Sequence, residues 1–196
     1  GAGEPQLEAA YRWLEAGHQG SKYLVRATGG TSAAFRRNGL AGPGDTIEVF
    51  HVHHVAGSRA AQFVLRSNAR WLSAPEVVAA APLETAIPLR YAAASLLTPG
   101  VYVGTITAWN PSDSLAGPLF TLVNTVVVPF DLAAQPFADE ARQIGPARVQ
   151  RYFLRVPQPG VTLRATVTVL DSLQARATVR LYEPSGQPFR DADETP

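Results

Sequence analysis

The sequence has no cysteine and no methionine. The first absence excludes a disulfide framework and thiolate metal sites, and fits both the cytosol and many bacterial secreted proteins. The second, in a chain that opens on small residues, reads as a piece of a longer polypeptide. Charge is sparse as well: 17% of residues are Asp, Glu, Lys or Arg, the net charge is +1, and the arginines are spread rather than gathered into a block. Such a chain offers no field to a phosphate backbone, so nucleic acid is not an expected partner. No apolar run approaches the roughly 20 residues that a membrane helix needs. The opening GAGEPQLEAA lacks the basic end and the apolar stretch of a signal peptide. The sequence therefore predicts no membrane partner, and no phosphate loop, dinucleotide fingerprint or paired-carboxylate motif implies a cofactor.

What the chain does have is 46% hydrophobic residues over 196 positions, enough to bury a core, and a length that suits two small domains better than one large one. Residues 5–17, PQLEAAYRWLEAG, place Leu7, Ala10, Tyr11 and Leu14 at i, i+3, i+4 and i+7, with Pro5 near the first turn and Gly17 where a left-handed cap belongs. This is a short amphipathic helix, and its apolar stripe needs a surface to pack on.

From Lys22 onward the pattern changes to β-type runs separated by Gly, Pro, Ser and Asn: KYLVRA, DTIEVFHVHHV, AQFVLRS, IPLRYAA, VYVGTITAW and LFTLVNTVVVP. Their regular spacing, with no long helical pattern between them, predicts a mostly β chain whose main unit is an antiparallel β-sandwich of the fibronectin or immunoglobulin kind. Trp71 and Leu72 are expected to plug the core where one sheet hands over to the other. After Pro129 the text turns polar and proline-bearing, which sets an expected boundary near residue 134. Beyond it, VQRYFLRVP, VTLRATVTVLD and ARATVRLYEPSG read as strands of a second β-domain, too few to close a core and so read as truncated. The expected division is 1–17 as a terminal helix, 18–133 as the sandwich and 134–196 as the second unit.

Two stretches invite a chemical reading. His51, His53 and His54 lie in HVHH; on a strand, His51 and His53 share one face and His54 takes the other. A pair at i and i+2 is half of a zinc site, and neither Asp45 nor Glu48 is placed by spacing to complete it. The apolar alternation slips between Val49 and Phe50, as a β-bulge would make it do, which turns His51 and His53 outward as solvated imidazoles. The metal reading through His51 and His53 stays as an alternative function. The second stretch, Gly30, Thr31 and Ser32, mimics the nucleophile loop of a subtilisin-like peptidase, yet no buried-helix pattern follows it, and His18 lies in no segment that would supply a base. Ser32 is expected in a turn, and this stretch of chain is not expected to be an enzyme in itself. A carbohydrate-binding or adhesion module is a further alternative, but Trp13, Trp71 and Trp109 are scattered and form no aromatic platform.

Three segments carry a resemblance. AGPLFTLVNTVVVP, with Gly117, Pro118, Leu119 and Phe120, is followed by PARVQRYFLRVPQPGVTLRATVTV, with Phe153, Val156 and Pro157. Together with the opening Gly1, Gly3, Gln6, Ala10, Tyr11 and Leu14, they resemble the region after the catalytic domain in the tripeptidyl peptidase II family of subtilisin-like serine peptidases. The resemblance covers residues 1–17 and about 60–170, and leaves out HVHH and Ser32. It implies that the catalytic aspartate, histidine and serine precede this chain, so that none of the family's catalytic residues falls on it. It further implies a parent that removes tripeptides from free N-termini, a cytoplasmic location, with secretion not excluded, and very large oligomers. On this basis the chain is expected to be a scaffold. Its partners would be its own parent catalytic domain, contacted through Leu7, Ala10, Tyr11 and Leu14, and further copies of itself in a homo-oligomer.

Overall fold

The computed structural model describes residues 7–17, 20–40, 42, 44–113, 116–135, 138, 148–156, 162–168, 178–183 and 185–188, and all that follows concerns these. Two compact units divide between Pro157 and Gln158.

The first unit opens on helix α1 (Leu7–Glu15). Gly17 ends it at φ 70°, a left-handed conformation that a side chain disfavours, and its N–H bonds the Leu14 carbonyl. The remainder is a β-sandwich. One sheet has four strands in the order β1 (Lys22–Ala27), β3 (Thr46–Ala56), β7 (Thr85–Tyr91), β5 (Leu72–Ser73), all antiparallel. The other has five in the order β2 (Ala33–Arg36), β9 (Pro118–Val128), β8 (Gly100–Trp109), β4 (Gln62–Ser67), β6 (Val77–Ala79). Here the expected all-antiparallel pairing is corrected at one edge: β2 runs parallel to β9, because the chain crosses from one sheet to the other between β1 and β2. The six long strands read from the sequence all form, and the short β2, β5 and β6 join them.

Alternation decides the core. Phe50 and Val52 of β3 and Ile87, Leu89 and Tyr91 of β7 face Phe63 and Leu65 of β4, Ile106 and Ala108 of β8, and Leu122 and Val126 of β9. Tyr23, Phe63 and Phe120 meet edge to face or tilted, with centroids 5.0 to 5.5 Å apart, the geometry that the ring quadrupoles favour. Trp71 and Leu72 are buried in the short span that carries the chain from β4 in one sheet to β5 in the other.

The slip in the apolar pattern of β3 has a different cause from the expected bulge. Pairing with β1 and β7 runs unbroken from Thr46 to His54, and the one irregularity comes later, where Val55 is skipped between His54 and Ala56. Ile47 and Val49 face outward, and the inward place between them, two residues ahead of Phe50, is taken by Glu48, a buried carboxylate. His51 and His53 do face outward, by plain alternation.

Past the sandwich, β10 (Phe130–Asp131) pairs in parallel with β11 (Leu154–Arg155). This pairing returns the chain to the first unit, so the compact unit extends well beyond the expected boundary near 134. In the second unit the strands expected from VTLRATVTVLD and ARATVRLYEPSG are not formed among the described residues: 162–168 and 178–183 hold no strand, and an isolated bridge joins Tyr182 to Pro188. Alternation alone builds no ladder; without a partner strand the apolar positions stay in water, and Val167, Val179 and Tyr182 are exposed.

Candidate functional site

The outward row of β3 carries His51 and His53 on one face, as their spacing requires. The antiparallel register sets His51 beside Ala86, the second residue of β7, so residue 84, just ahead of that strand, arrives at the same end of the row. Glu84 closes on both rings: its Oε1 lies 2.6 Å from Nδ1 of His51 and its Oε2 lies 2.7 Å from Nε2 of His53. One carboxylate thus bridges two imidazoles. The hydrogen bond from His51, reinforced by the charge of both rings, holds the Glu84 carboxyl below the usual carboxylate range. From β1, Arg26 stands opposite His51 and Leu24 opposite His53. No spacing rule points to Glu84, because 33 residues separate it from His51 and only the pairing of β3 with β7 brings them together. Among the described residues no three His, Asp or Glu groups are arranged to hold a metal ion; the carboxylate itself occupies the space between the rings.

His54 turns to the other face, edge-on to the Tyr23 ring at 5.2 Å, with its Nε2 buried and without a hydrogen-bond partner. Deeper in the sandwich a polar tie crosses between the sheets. Arg36 of β2 donates to Oε2 of Glu48 at 2.7 Å, and the backbone N–H of Thr28 donates to Oε1 at 3.2 Å. The Arg36 guanidinium lies 5.5 Å from the centre of the Tyr91 ring. The Tyr91 hydroxyl donates to Oδ1 of the buried Asn124 at 2.7 Å. Burial, followed by the negative charge of Glu48, pushes the Tyr91 phenol up to about 12.

The helix stripe is uncovered. Leu7 is 79% exposed and Tyr11 and Leu14 are each 65% exposed, with Ala10 exposed among them. The stripe therefore does not pack on the sandwich of its own chain. Ser32 is an exposed turn residue between β1 and β2. Trp109 is half-buried at the end of β8.

The residues that carried the resemblance have structural places. Gly117 takes φ 75° and turns the chain into β9, which begins at Pro118; Leu119 packs against the core and Phe120 is buried in the aromatic cluster. The Phe153 carbonyl accepts the Phe130 N–H at 2.8 Å, and Val156 follows β11, exposed. Gly1, Gly3, Gln6 and Pro157 lie outside the described residues. Where β10 meets β11, an open cleft of about 440 Å³ is walled by Leu40, Leu96, Val128 and Phe130. Arg155 at its edge is engaged internally, with Asp131 at 3.3 Å and with the Asn38 carbonyl at 2.8 Å.

No family model matches the sequence, and no curated protein matches it. Solved structures do. A crystal structure of tripeptidyl peptidase 2 (TPP II) superposes with a TM-score of 0.54 and 16% identity, over 63% of this chain and 11% of that one. A Bacteroides ovatus GH5 xyloglucanase in complex with a XXXG heptasaccharide aligns at 0.37 and 6% identity, over 55% of this chain and 19% of that one, too weakly to argue from. The aligned part of this chain thus corresponds to about a tenth of the tripeptidyl peptidase 2 chain, and what the two share is the fold.

Proposed function

We propose that this chain is a non-catalytic accessory region of a subtilisin-like serine peptidase of the tripeptidyl peptidase II kind. It is a β-sandwich that supports a catalytic domain carried elsewhere in the same polypeptide. The observation that carries this reading is the fold likeness to a solved tripeptidyl peptidase 2, achieved over a small part of that much longer chain. The uncovered stripe of α1 supports it physically. A nine-residue helix is marginal in water by itself, so Leu7, Tyr11 and Leu14 are best explained as a face that meets another domain. Covering that face would bury three large apolar side chains, each worth roughly 1.5–3 kcal/mol when fully removed from water.

The test is enzymatic. The 196-residue chain is incubated with a chromogenic tripeptide ester or amide and releases no product. The polypeptide extended toward its N-terminus cleaves the same substrate. In that longer protein the double change Leu7→Ser and Leu14→Ser lowers the temperature at which activity is lost. Cleavage by the 196-residue chain itself, or a longer protein indifferent to the helix changes, defeats the reading.

A further inference from the structure

The stripe of α1 is uncovered, but the helix has a second side. Among its described side chains Trp13 alone is not exposed. At 3.6 residues per turn, Trp13 stands about 100° round the axis from Leu14 and about 120° from Leu7, so it lies off the stripe. Its Nε1 is buried. The far edge of its ring, Cη2, reaches Gly20, 3.8 Å from where a Cβ on that residue would stand.

Gly20 in turn is held by the sandwich. β1 starts at Lys22, which pairs with Ala56 at the end of β3, and the antiparallel course carries Gly20 and Ser21 on past the turn 57–61 that joins β3 to β4. Gly57 in that turn has φ 80°, and the Gly20 backbone lies against it with no room for a side chain. A Cβ on Gly57 would run into the Gly20 carbonyl oxygen, and would lie 2.9 Å from the Gly20 carbonyl carbon and 3.1 Å from Cα of Ser21. The Ser21 hydroxyl donates to the Ser58 carbonyl. The turn itself is anchored: the N–H of the buried Ala60 donates to the Tyr23 hydroxyl at 3.0 Å, and Arg59 donates to the Pro82 carbonyl at 3.0 Å. Since Tyr23 belongs to the aromatic cluster with Phe63 and Phe120, a line of contacts runs from the core through turn 57–61 and Gly20 to Trp13.

We infer that the β3–β4 turn is a seat that fixes α1 on the sandwich and presents Leu7, Tyr11 and Leu14 as a preformed docking ridge. A nine-residue helix left to itself is marginal in water, and a partner binding it would bear the entropy of ordering it. A seated helix is ordered beforehand, so contact with its stripe converts to affinity with less loss. Gly57 is the positioning residue. The left-handed φ and the close approach of Gly20 each exclude a side chain there. The occupant of the ridge is the catalytic domain proposed above, and in that respect the inference rests on that reading; the seat is a property of this chain and does not.

Hydrogen exchange of the α1 amides in the 196-residue chain reads the seat, with a synthetic peptide of residues 1–17 as the unseated reference. The wild-type amides of residues 11–15 are expected to exchange at least ~10-fold more slowly than in the peptide, and Gly57→Ala to bring them back toward the peptide rate. Gly57→Ala also carries the strain of a side chain at positive φ, and Gly30→Ala separates the two effects. Gly30 has φ 78° with nothing within 4 Å of an added Cβ, so this variant carries the strain without the collision and is expected to leave α1 protected. Trp13→Ala removes the contact from the helix side, away from the core, and is expected to act like Gly57→Ala while β8 and β9 stay protected. Wild-type α1 amides that exchange as fast as those of the peptide overturn the inference. So does protection that survives both Gly57→Ala and Trp13→Ala, or that is lost equally in Gly30→Ala. Because the readout is amide protection and not tripeptide cleavage, failure of the seat and failure of the peptidase reading are told apart.

Discussion

Gly104 shows how tightly the handover between the sheets is packed. A Cβ at this position would lie 2.8 Å from Cζ2 of Trp71 and 3.1 Å from both Cβ of Ala69 and Cδ2 of Leu72. Trp71 cannot step aside easily, since it also contacts the Tyr91 and Tyr102 rings. Gly104→Ala is therefore expected to cost about 1–3 kcal/mol, the usual range for overpacking a core, as read from the urea midpoint. Tyr91 supplies a second residue-scale outcome. Removing its hydroxyl with Tyr91→Phe strands the buried Oδ1 of Asn124, at a cost of about 1–3 kcal/mol, and the double change with Asn124→Leu should recover part of it. Because the folded phenol is raised to about 12, the stability it contributes is complete below the ordinary tyrosine range and is lost as the pH climbs through that range toward 12. Ultraviolet titration should show one of the six tyrosines ionising last, and that step should vanish in Tyr91→Phe.

At the scale of elements, β3 is the instructive strand. Its existence and the shared face of His51 and His53 were legible from period-two spacing, whereas their outward facing was read from a bulge at Val49 and Phe50 that the pairing does not contain, and the reason for the broken apolar pattern was not legible. A buried Glu48 looks like a polar residue on the wrong face until Arg36, from β2 in the opposite sheet, is brought to it. Glu84 was hidden for the same reason: its partners are fixed by strand register across a long sequence separation, which local patterning does not encode. The four-residue β2 and the two- and three-residue β5 and β6 are too short to display a period, and they form by completing the sheets that longer strands begin. In the other direction, the alternation in residues 161–169 was a clear strand signal to which no strand corresponds among the described residues, because a strand also needs a neighbour. For the Glu84 carboxylate that bridges His51 and His53, Glu84→Gln is expected to destabilise slightly at neutral pH, as befits an exposed pair. The Glu84 carboxyl is held low, so its contribution is present above the ordinary carboxylate range and fades as the pH falls through the folded value. Thermal melts of wild type and variant should accordingly converge in acid; a gap that persists there would show that the loss is one of packing rather than of charge.

Among the described residues the first unit combines a closed sandwich core with uncovered apolar surface on the stripe of α1 and on the outward face of the five-stranded sheet. Contiguous exposed apolar surface of this kind marks contacts, which is the physical ground for the accessory role proposed above. The fold was readable from strand count, spacing and turn residues. The peptidase parent proposed above was suggested in the sequence by a resemblance alone, because the segments that carry it, Gly117–Phe120 and Phe153–Val156, are architectural and hold no chemistry. If this sandwich supports a catalytic domain as proposed, that domain stands ahead of it in the same polypeptide. The most direct measurement is the nucleotide sequence of the source locus upstream of the codon for Gly1, read in the same frame. The expected result is an open frame encoding aspartate, histidine and serine segments of a subtilisin-like triad, in that order, ending just before α1. A start codon immediately ahead of Gly1, or an upstream frame without those three segments, would contradict it.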